Sequence, residues 1–215
     1  MRLASARFHL SVHDPLQLPA DGAPEIAFAG RSNAGKSSAL NTLASQKRLA
    51  YVSKTPGRTQ LINFFAVGEE AFLVDLPGYG YAGVPLAVKR HWEELVGHYV
   101  ATRRALAGVI IVMDARHPLT PLDHELLDWL APAARPVHVL LTKSDKLSKQ
   151  AAQRMLGEVQ RALAERYPDA SASLFSSLKR VGIEEATAVI ARWSGGATGN
   201  KKPRPKGSKA GAKKP

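Results

Sequence analysis

Short apolar runs alternate along this chain with longer stretches in which apolar residues recur every third or fourth position. The first pattern reads as buried strands and the second as one-sided helices. Glu25 to Ala29, Leu61 to Val67, Ala71 to Val74, Gly108 to Met113, Val137 to Leu141 and Ala170 to Phe175 are the strand candidates, with Gly68-Glu69-Glu70 turning the second into the third as a hairpin. One helix follows residues 30–37 and is expected to end near Ser45 or Gln46. Trp92, Leu95, Val96, Tyr99 and Val100 mark the face of a second, which makes Trp92 and Tyr99 core residues rather than base-stacking ones. Thr120-Pro121-Leu122-Asp123 opens a third, with an N-cap, a proline at the first helical position and an acidic third residue, running to about Leu130. Ala152, Met155, Leu156, Val159 and Leu163 mark a fourth that stops before Pro168, and Ile183 to Trp193 is a fifth, ended by Gly195-Gly196.

Strands alternating with helices predict right-handed crossovers and an α/β fold with a mostly parallel central sheet flanked by helices. Such sheets bind ligands at the carboxyl ends of their strands, where the segments after Ala29, Val74 and Leu141 would converge. Residues 1–24 read as an N-terminal extension in which Arg7 to Val12 alternates like an edge strand. Lys47 to Gln60, polar and containing Pro56-Gly57, is a loop long enough to move, and Tyr79-Gly80-Tyr81-Ala82-Gly83 is a second, glycine-rich one.

Composition narrows the function. At 215 residues and 45% hydrophobic, the chain supports one domain, residues 25–194, plus a tail, residues 195–215. With no cysteine there is no disulfide, thiolate metal site or cysteine nucleophile, which suits a reducing cytoplasm. Met1 to Leu10 lacks the apolar core of a secretory signal, and the longest apolar stretch, Leu106 to Met113, is far too short to span a membrane, so a soluble protein is expected. The net charge is +12. Seven of those charges, on Lys201, Lys202, Arg204, Lys206, Lys209, Lys213 and Lys214, fall in a tail without acidic residues or apolar periodicity, expected to be disordered. A cationic body with a cationic arm points to a polyanion such as RNA, bound through its phosphates, against the plainer reading of a solubilising tail.

Gly30-Arg31-Ser32-Asn33-Ala34-Gly35-Lys36-Ser37 fits G-x-x-x-x-G-K-(S/T) between a strand and a helix, the context that a phosphate-binding loop requires. Glycines at 30 and 35 let the backbone N–H groups close on phosphate oxygens or adopt unusual angles. Lys36 brings a charge to the β- and γ-phosphates, the Ser37 hydroxyl can ligate Mg²⁺, and the helix aims its positive end at the anion. Asp75-Leu76-Pro77-Gly78, at a strand end some forty residues past Lys36, occupies the place of a γ-phosphate sensor, with a carboxylate to hold Mg²⁺ through water and a glycine N–H for the phosphate. Thr142-Lys143-Ser144-Asp145 selects the base. Asp145 can accept from the N1–H and exocyclic amine of guanine, whereas adenine offers no such pair, and the stem of Lys143 can cover the purine face. Phe175-Ser176-Ser177, followed by Leu178-Lys179, can complete the pocket with N–H and hydroxyl groups.

These segments, with Lys54-Thr55-Pro56-Gly57-Arg58-Thr59-Gln60 and Asp75-Leu76-Pro77-Gly78-Tyr79-Gly80, together resemble the EngB (YihA/YsxC) family of bacterial GTPases, in the TrmE-Era-EngA-EngB-Septin-like class, from roughly Arg7 to Trp193. The resemblance implies a three-layer P-loop GTPase domain that hydrolyses GTP during assembly of the large ribosomal subunit, with effects on cell division and septation. It implies that Ser37 and Thr59 ligate Mg²⁺, with Asp75 acting through water. Gly57-Arg58-Thr59-Gln60-Leu61 would form the first switch and Asp75 to Gly78 the second, with Lys36, Thr59 and Gly78 acting catalytically, in a monomer that meets the large subunit or its rRNA through basic surface and tail.

Two departures from the commonest GTPase pattern change the expectations. Tyr79 stands where many GTPases carry a water-orienting glutamine, so intrinsic hydrolysis should be slow; Asn33 matches relatives that use K⁺ to offset transition-state charge. Thr142 replaces the usual asparagine and is expected to loosen the tie to the phosphate loop. Two other readings stay open at this point, a P-loop ATPase or kinase and a GTP-dependent binding module acting mainly at the division site.

Overall fold

The computed structural model describes residues 2–50, 61–80 and 85–195. Thr59 and its neighbours Gly57, Arg58 and Gln60, like the basic tail, lie outside these residues. Seven strands form one sheet: β1 (Ala6–Val12), β2 (Glu25–Gly30), β3 (Ile62–Val67), β4 (Ala71–Asp75), β5 (Leu106–Asp114), β6 (Val137–Thr142) and β7 (Ala170–Leu174). Their spatial order is β1-β3-β4-β2-β5-β6-β7. From β4 to β7 every pairing is parallel, while β1 and β3 add antiparallel strands at one edge. The edge strand expected at Arg7 to Val12 is therefore part of the sheet, and the expected hairpin is the β3–β4 pair.

Among the described residues, five α-helices cover the sheet: α1 (Lys36–Leu43), α2 (Leu86–Thr102), α3 (Pro121–Leu130), α4 (Lys149–Arg166) and α5 (Ile183–Trp193). Alternation within the strands divides the core into two layers. Ala27 and Ala29 of β2, with Ile111 of β5 and Leu141 of β6, pack with Leu95 and Tyr99 of α2, Leu126 and Leu130 of α3, and Val159 and Leu163 of α4. Ile26 and Phe28, with Ile110, Val112 and Leu140, pack on the opposite face with Leu40 of α1 and Ile190 of α5. The central strands are buried on both faces, which is why they read as continuous apolar runs.

Local chemistry sets the helix ends. α1 stops at Leu43, earlier than its sequence suggested, because Ser45 takes φ 51° and the chain closes with Ser45 N–H to Thr42 O at 3.1 Å and Gln46 N–H to Asn41 O at 2.9 Å. This is a Schellman closure without the customary glycine. At the other end of β2 from the phosphate loop, buried Glu25 accepts from Arg103 Nε at 2.9 and 3.0 Å and from the Tyr99 hydroxyl at 2.9 Å, so this buried acid is paired and hydrogen-bonded. No helix among the described residues is long and apolar enough to cross a membrane.

Candidate nucleotide site

Every predicted site segment within the described residues lies at the carboxyl edge of the parallel strands: 30–37 after β2, 75–78 after β4, 142–145 after β6 and 175–177 after β7. The sheet register brings them level. Phe28 pairs with Asp75, Gly30 with Val112, Asp114 with Thr142 and Leu141 with Leu174.

The phosphate loop curls because Asn33 (φ 62°) and Gly35 (φ 100°) both take left-handed backbone. Glycine has no steric cost there and asparagine tolerates it, so alternating angles turn successive N–H groups inward. Gly30 answers a further need besides the one its sequence suggested. A Cβ there would sit 2.9 Å from Val112 O, so this glycine also admits the neighbouring strand. Lys36 and Ser37 open α1, and Lys36 Nζ donates to the Asp75 carboxylate, joining the loop to the end of β4. A serine hydroxyl and an aspartate at this position are hard oxygen donors of the kind Mg²⁺ accepts, so the residues fit that ion.

Residues 142–145 are tied to the loop by two side chains. Thr142 Oγ1 lies 2.5 Å from Ala34 O and 3.0 Å from Met113 O. The threonine thus makes the link to the phosphate loop that the sequence expectation had loosened: a hydroxyl reaches the loop carbonyl directly, although its one proton serves one carbonyl at a time. Lys143, at φ 56°, sends Nζ to Asn33 O at 2.7 Å and to Asp114 Oδ2 at 2.9 Å. Asp114 also accepts from Arg116 Nε at 2.9 Å and Nη2 at 2.6 Å. Burial pushes the Asp114 carboxyl up, but the hydrogen bonds from Arg116 and Lys143 outweigh it and hold the group well below the usual carboxylate range. Asp145 accepts from Ser176 Oγ at 2.5 Å, and Ser144 bonds through N–H (3.2 Å) and Oγ (3.0 Å) to Phe175 O. The last strand's turn thereby orients the carboxylate, which is the geometry needed to present an acceptor to a purine edge.

The remaining predicted residues are placed as follows. The Phe175 side chain is buried in the α1/α5 core, so only its backbone serves the turn, and Leu76 is buried in the other core layer. The Pro77 carbonyl accepts from the Trp92 indole at 2.9 Å. Arg31 turns its guanidinium away to Thr120 Oγ1 at 2.9 Å, and Ser32 N–H is bonded to Tyr79 O at 3.1 Å. Leu61 precedes β3, and Ser177 lies in the turn closed by the Ser176–Val181 bridge. Tyr79 belongs to no loose loop: it is buried and its hydroxyl donates to Asp123 Oδ1 at 2.8 Å. Asp114 was visible in the sequence as a strand-end acid without a task, and its role as the clamp on Lys143 shows only once β5 and β6 are side by side.

A parallel sheet with a G-x-x-x-x-G-K-S loop at its switch of direction, bonded to a Thr-Lys-Ser-Asp segment two strands away, defines a P-loop GTPase domain. A family profile described as 50S ribosome-binding GTPase matches residues 25–143. The probable GTP-binding protein EngB of Methylobacillus flagellatus is 57% identical over 189 residues, spanning 88% of this chain and 91% of its own. That of an Azoarcus species is 57% identical over 190 residues with the same shares. Among solved structures, a probable GTP-binding protein engB superposes with a TM-score of 0.62 at 22% identity, covering 79% of this chain and 98% of its own. Era bound to MgGDPNP and a 16S ribosomal RNA fragment gives 0.61 at 22%, covering 80% and 57%. These structural likenesses support the fold, and the sequence matches place the chain in the EngB family of GTP-binding proteins.

Proposed function

We propose that this protein is a slow, Mg²⁺-dependent GTPase that acts in the cytoplasm, as a monomer, as a switch in assembly of the large ribosomal subunit, and is thereby required for normal cell division and septation. The observation that carries the reading is the direct bonding of the base-selecting segment to the phosphate loop, Thr142 to Ala34 and Lys143 to Asn33, with Asp145 oriented by Ser176. Such a frame presents one acceptor carboxylate to guanine at a fixed distance from the phosphates.

In this reading Gly30 to Ser37 cradle the phosphates, with Lys36 neutralising charge on them, and Gly78 offers its N–H to the γ-phosphate. Ser37, Thr59 and, through water, Asp75 hold Mg²⁺, which when bound offsets charge developing on the β- and γ-oxygens. The Tyr79 hydroxyl is spent on Asp123, so no side chain at that position orients the attacking water. Slow intrinsic turnover follows, with Asn33 assigned to K⁺. The ribosomal partner is supported by the description of the matching family and by the net charge of +12, suited to rRNA phosphates.

Multiple-turnover phosphate release tests this reading, measured with and without purified 50S subunits in KCl and in NaCl. Slow release alone, faster release with 50S subunits and a higher rate in KCl are expected. Equal rates in the two salts would remove the K⁺ assignment, and indifference to 50S subunits would remove the ribosomal one.

A further inference from the structure

A chain of polar groups, buried at Asp123 and Tyr79 and half-buried at Arg31 and Thr120, connects the phosphate loop to the second switch through the start of α3. Arg31 Nη1 donates to Thr120 Oγ1 at 2.9 Å, and that hydroxyl donates onward to Asp123 Oδ2 at 2.8 Å. The Thr120 backbone N–H reaches the same oxygen at 2.8 Å, while the Tyr79 hydroxyl donates to Asp123 Oδ1 at 2.8 Å. Asp123 is 1% exposed and Tyr79 8%, so the bond between them is made in a dry interior where it is strong and an orphaned partner is costly, while the bonds of Arg31 and Thr120 are half-buried. Leu119, just before Thr120, is held at φ 53°, a conformation that a bulky side chain adopts only where its surroundings impose it.

The same segment is fastened on its other side. Tyr79 O accepts from Ser32 N–H, its ring meets the edge of Trp92 at 6.2 Å between centroids, and the Trp92 indole donates to Pro77 O. Trp92 in turn lies 5.8 Å from Trp129 of α3. Gly78 is thus bracketed by Pro77, tied to α2, and Tyr79, tied to α3.

We propose that the Tyr79–Asp123 hydrogen bond is a positioning latch that holds Gly78 ready for the γ-phosphate and makes the GTP or GDP state legible on the α2–α3 face. The inference rests on the GTP-switch reading above. GDP has no γ-phosphate to meet Gly78, so the latch affects binding of GTP alone, and a ligand shifts a two-state element only by what it contacts differently in the two states. Tyr79 is a positioning residue: its hydroxyl touches Asp123 rather than any reacting atom.

The test measures dissociation constants for GDP and for a non-hydrolysable GTP analogue, with tryptophan emission in each complex, on the full chain carrying Tyr79→Phe, Asp123→Asn or Thr120→Ser. Tyr79→Phe keeps the ring beside Trp92 and removes only the donor. It is expected to leave GDP affinity within about twofold and to weaken the analogue about fivefold or more. The emission difference between the two complexes should shrink with it. Asp123→Asn should act in the same direction with a smaller effect, because the NH2 that replaces Oδ1 can only donate to the Tyr79 oxygen, a neutral bond in place of the charge-assisted one. Thr120→Ser, which keeps hydroxyl and N–H, should retain the wild-type ratio. An unchanged ratio of the two affinities in Tyr79→Phe, or an equal loss for both nucleotides, overturns the latch while leaving GTP binding intact. Failure of the wild type to bind GDP overturns the underlying reading and the latch with it.

Discussion

Asp114 shows how one side chain can serve a site through its neighbour. Its carboxylate, pulled low by hydrogen bonds from Arg116 and Lys143, stays charged and keeps Lys143 Nζ against the loop carbonyl of Asn33, which fixes the stem that would cover the purine. Asp114→Asn keeps an acceptor but removes the charge, and a partly exposed ion pair of this kind contributes about 1 kcal/mol. Titration with fluorescent GDP should show a severalfold higher dissociation constant, and an unchanged constant would contradict the clamp. Residue types at motif positions were legible in the sequence, since Lys36, Ser37, Thr142 and Asp145 all lie at the expected strand ends. Partnerships were not. That Thr142 reaches Ala34, that Arg31 turns to Thr120 and that Tyr79 is locked to Asp123 depend on which strands become neighbours, and a local pattern carries no such distance.

Among the elements, the helices and parallel strands could be read because their apolar periods match the two core layers they enter. Ends were harder, as at α1, where a serine rather than a glycine takes the left-handed closing position. The pairing of β6 with β7 carries a consequence for pH. His138 lies between Ser171 Oγ at 2.8 Å and Ser173 Oγ at 2.9 Å, and burial, aided by the charge of Arg192, pushes its pKa down to about 4. A depressed base favours the neutral form in the folded state, so the unfolded chain binds the extra proton between about pH 6.5 and 4. Stability is therefore complete above that window and falls as pH drops through it, by about 2 kcal/mol between pH 7 and 4.5 from this residue alone. Urea unfolding at the two pH values should show a smaller loss in His138→Gln, which keeps a hydrogen-bonding group between the two serines. An equal loss in variant and wild type would contradict the assignment.

At the scale of the molecule, the sheet divides its labour between two ends. The Glu25, Tyr99 and Arg103 cluster closes the end of β2 remote from the loop, while the carboxyl end gathers the phosphate loop, Asp75 and Asp145 from strands far apart in sequence. The central claim is that this edge takes guanine nucleotide, and equilibrium binding of fluorescent GDP, competed by GTP, GDP and ATP, on wild type and Asp145→Asn, tests it most directly. The account predicts that guanine nucleotides compete and ATP does not, and that Asp145→Asn weakens GDP while favouring xanthine nucleotides, because the amide can donate where the carboxylate could only accept. Equal competition by ATP, or an Asp145→Asn variant that binds GDP as the wild type does, would contradict it.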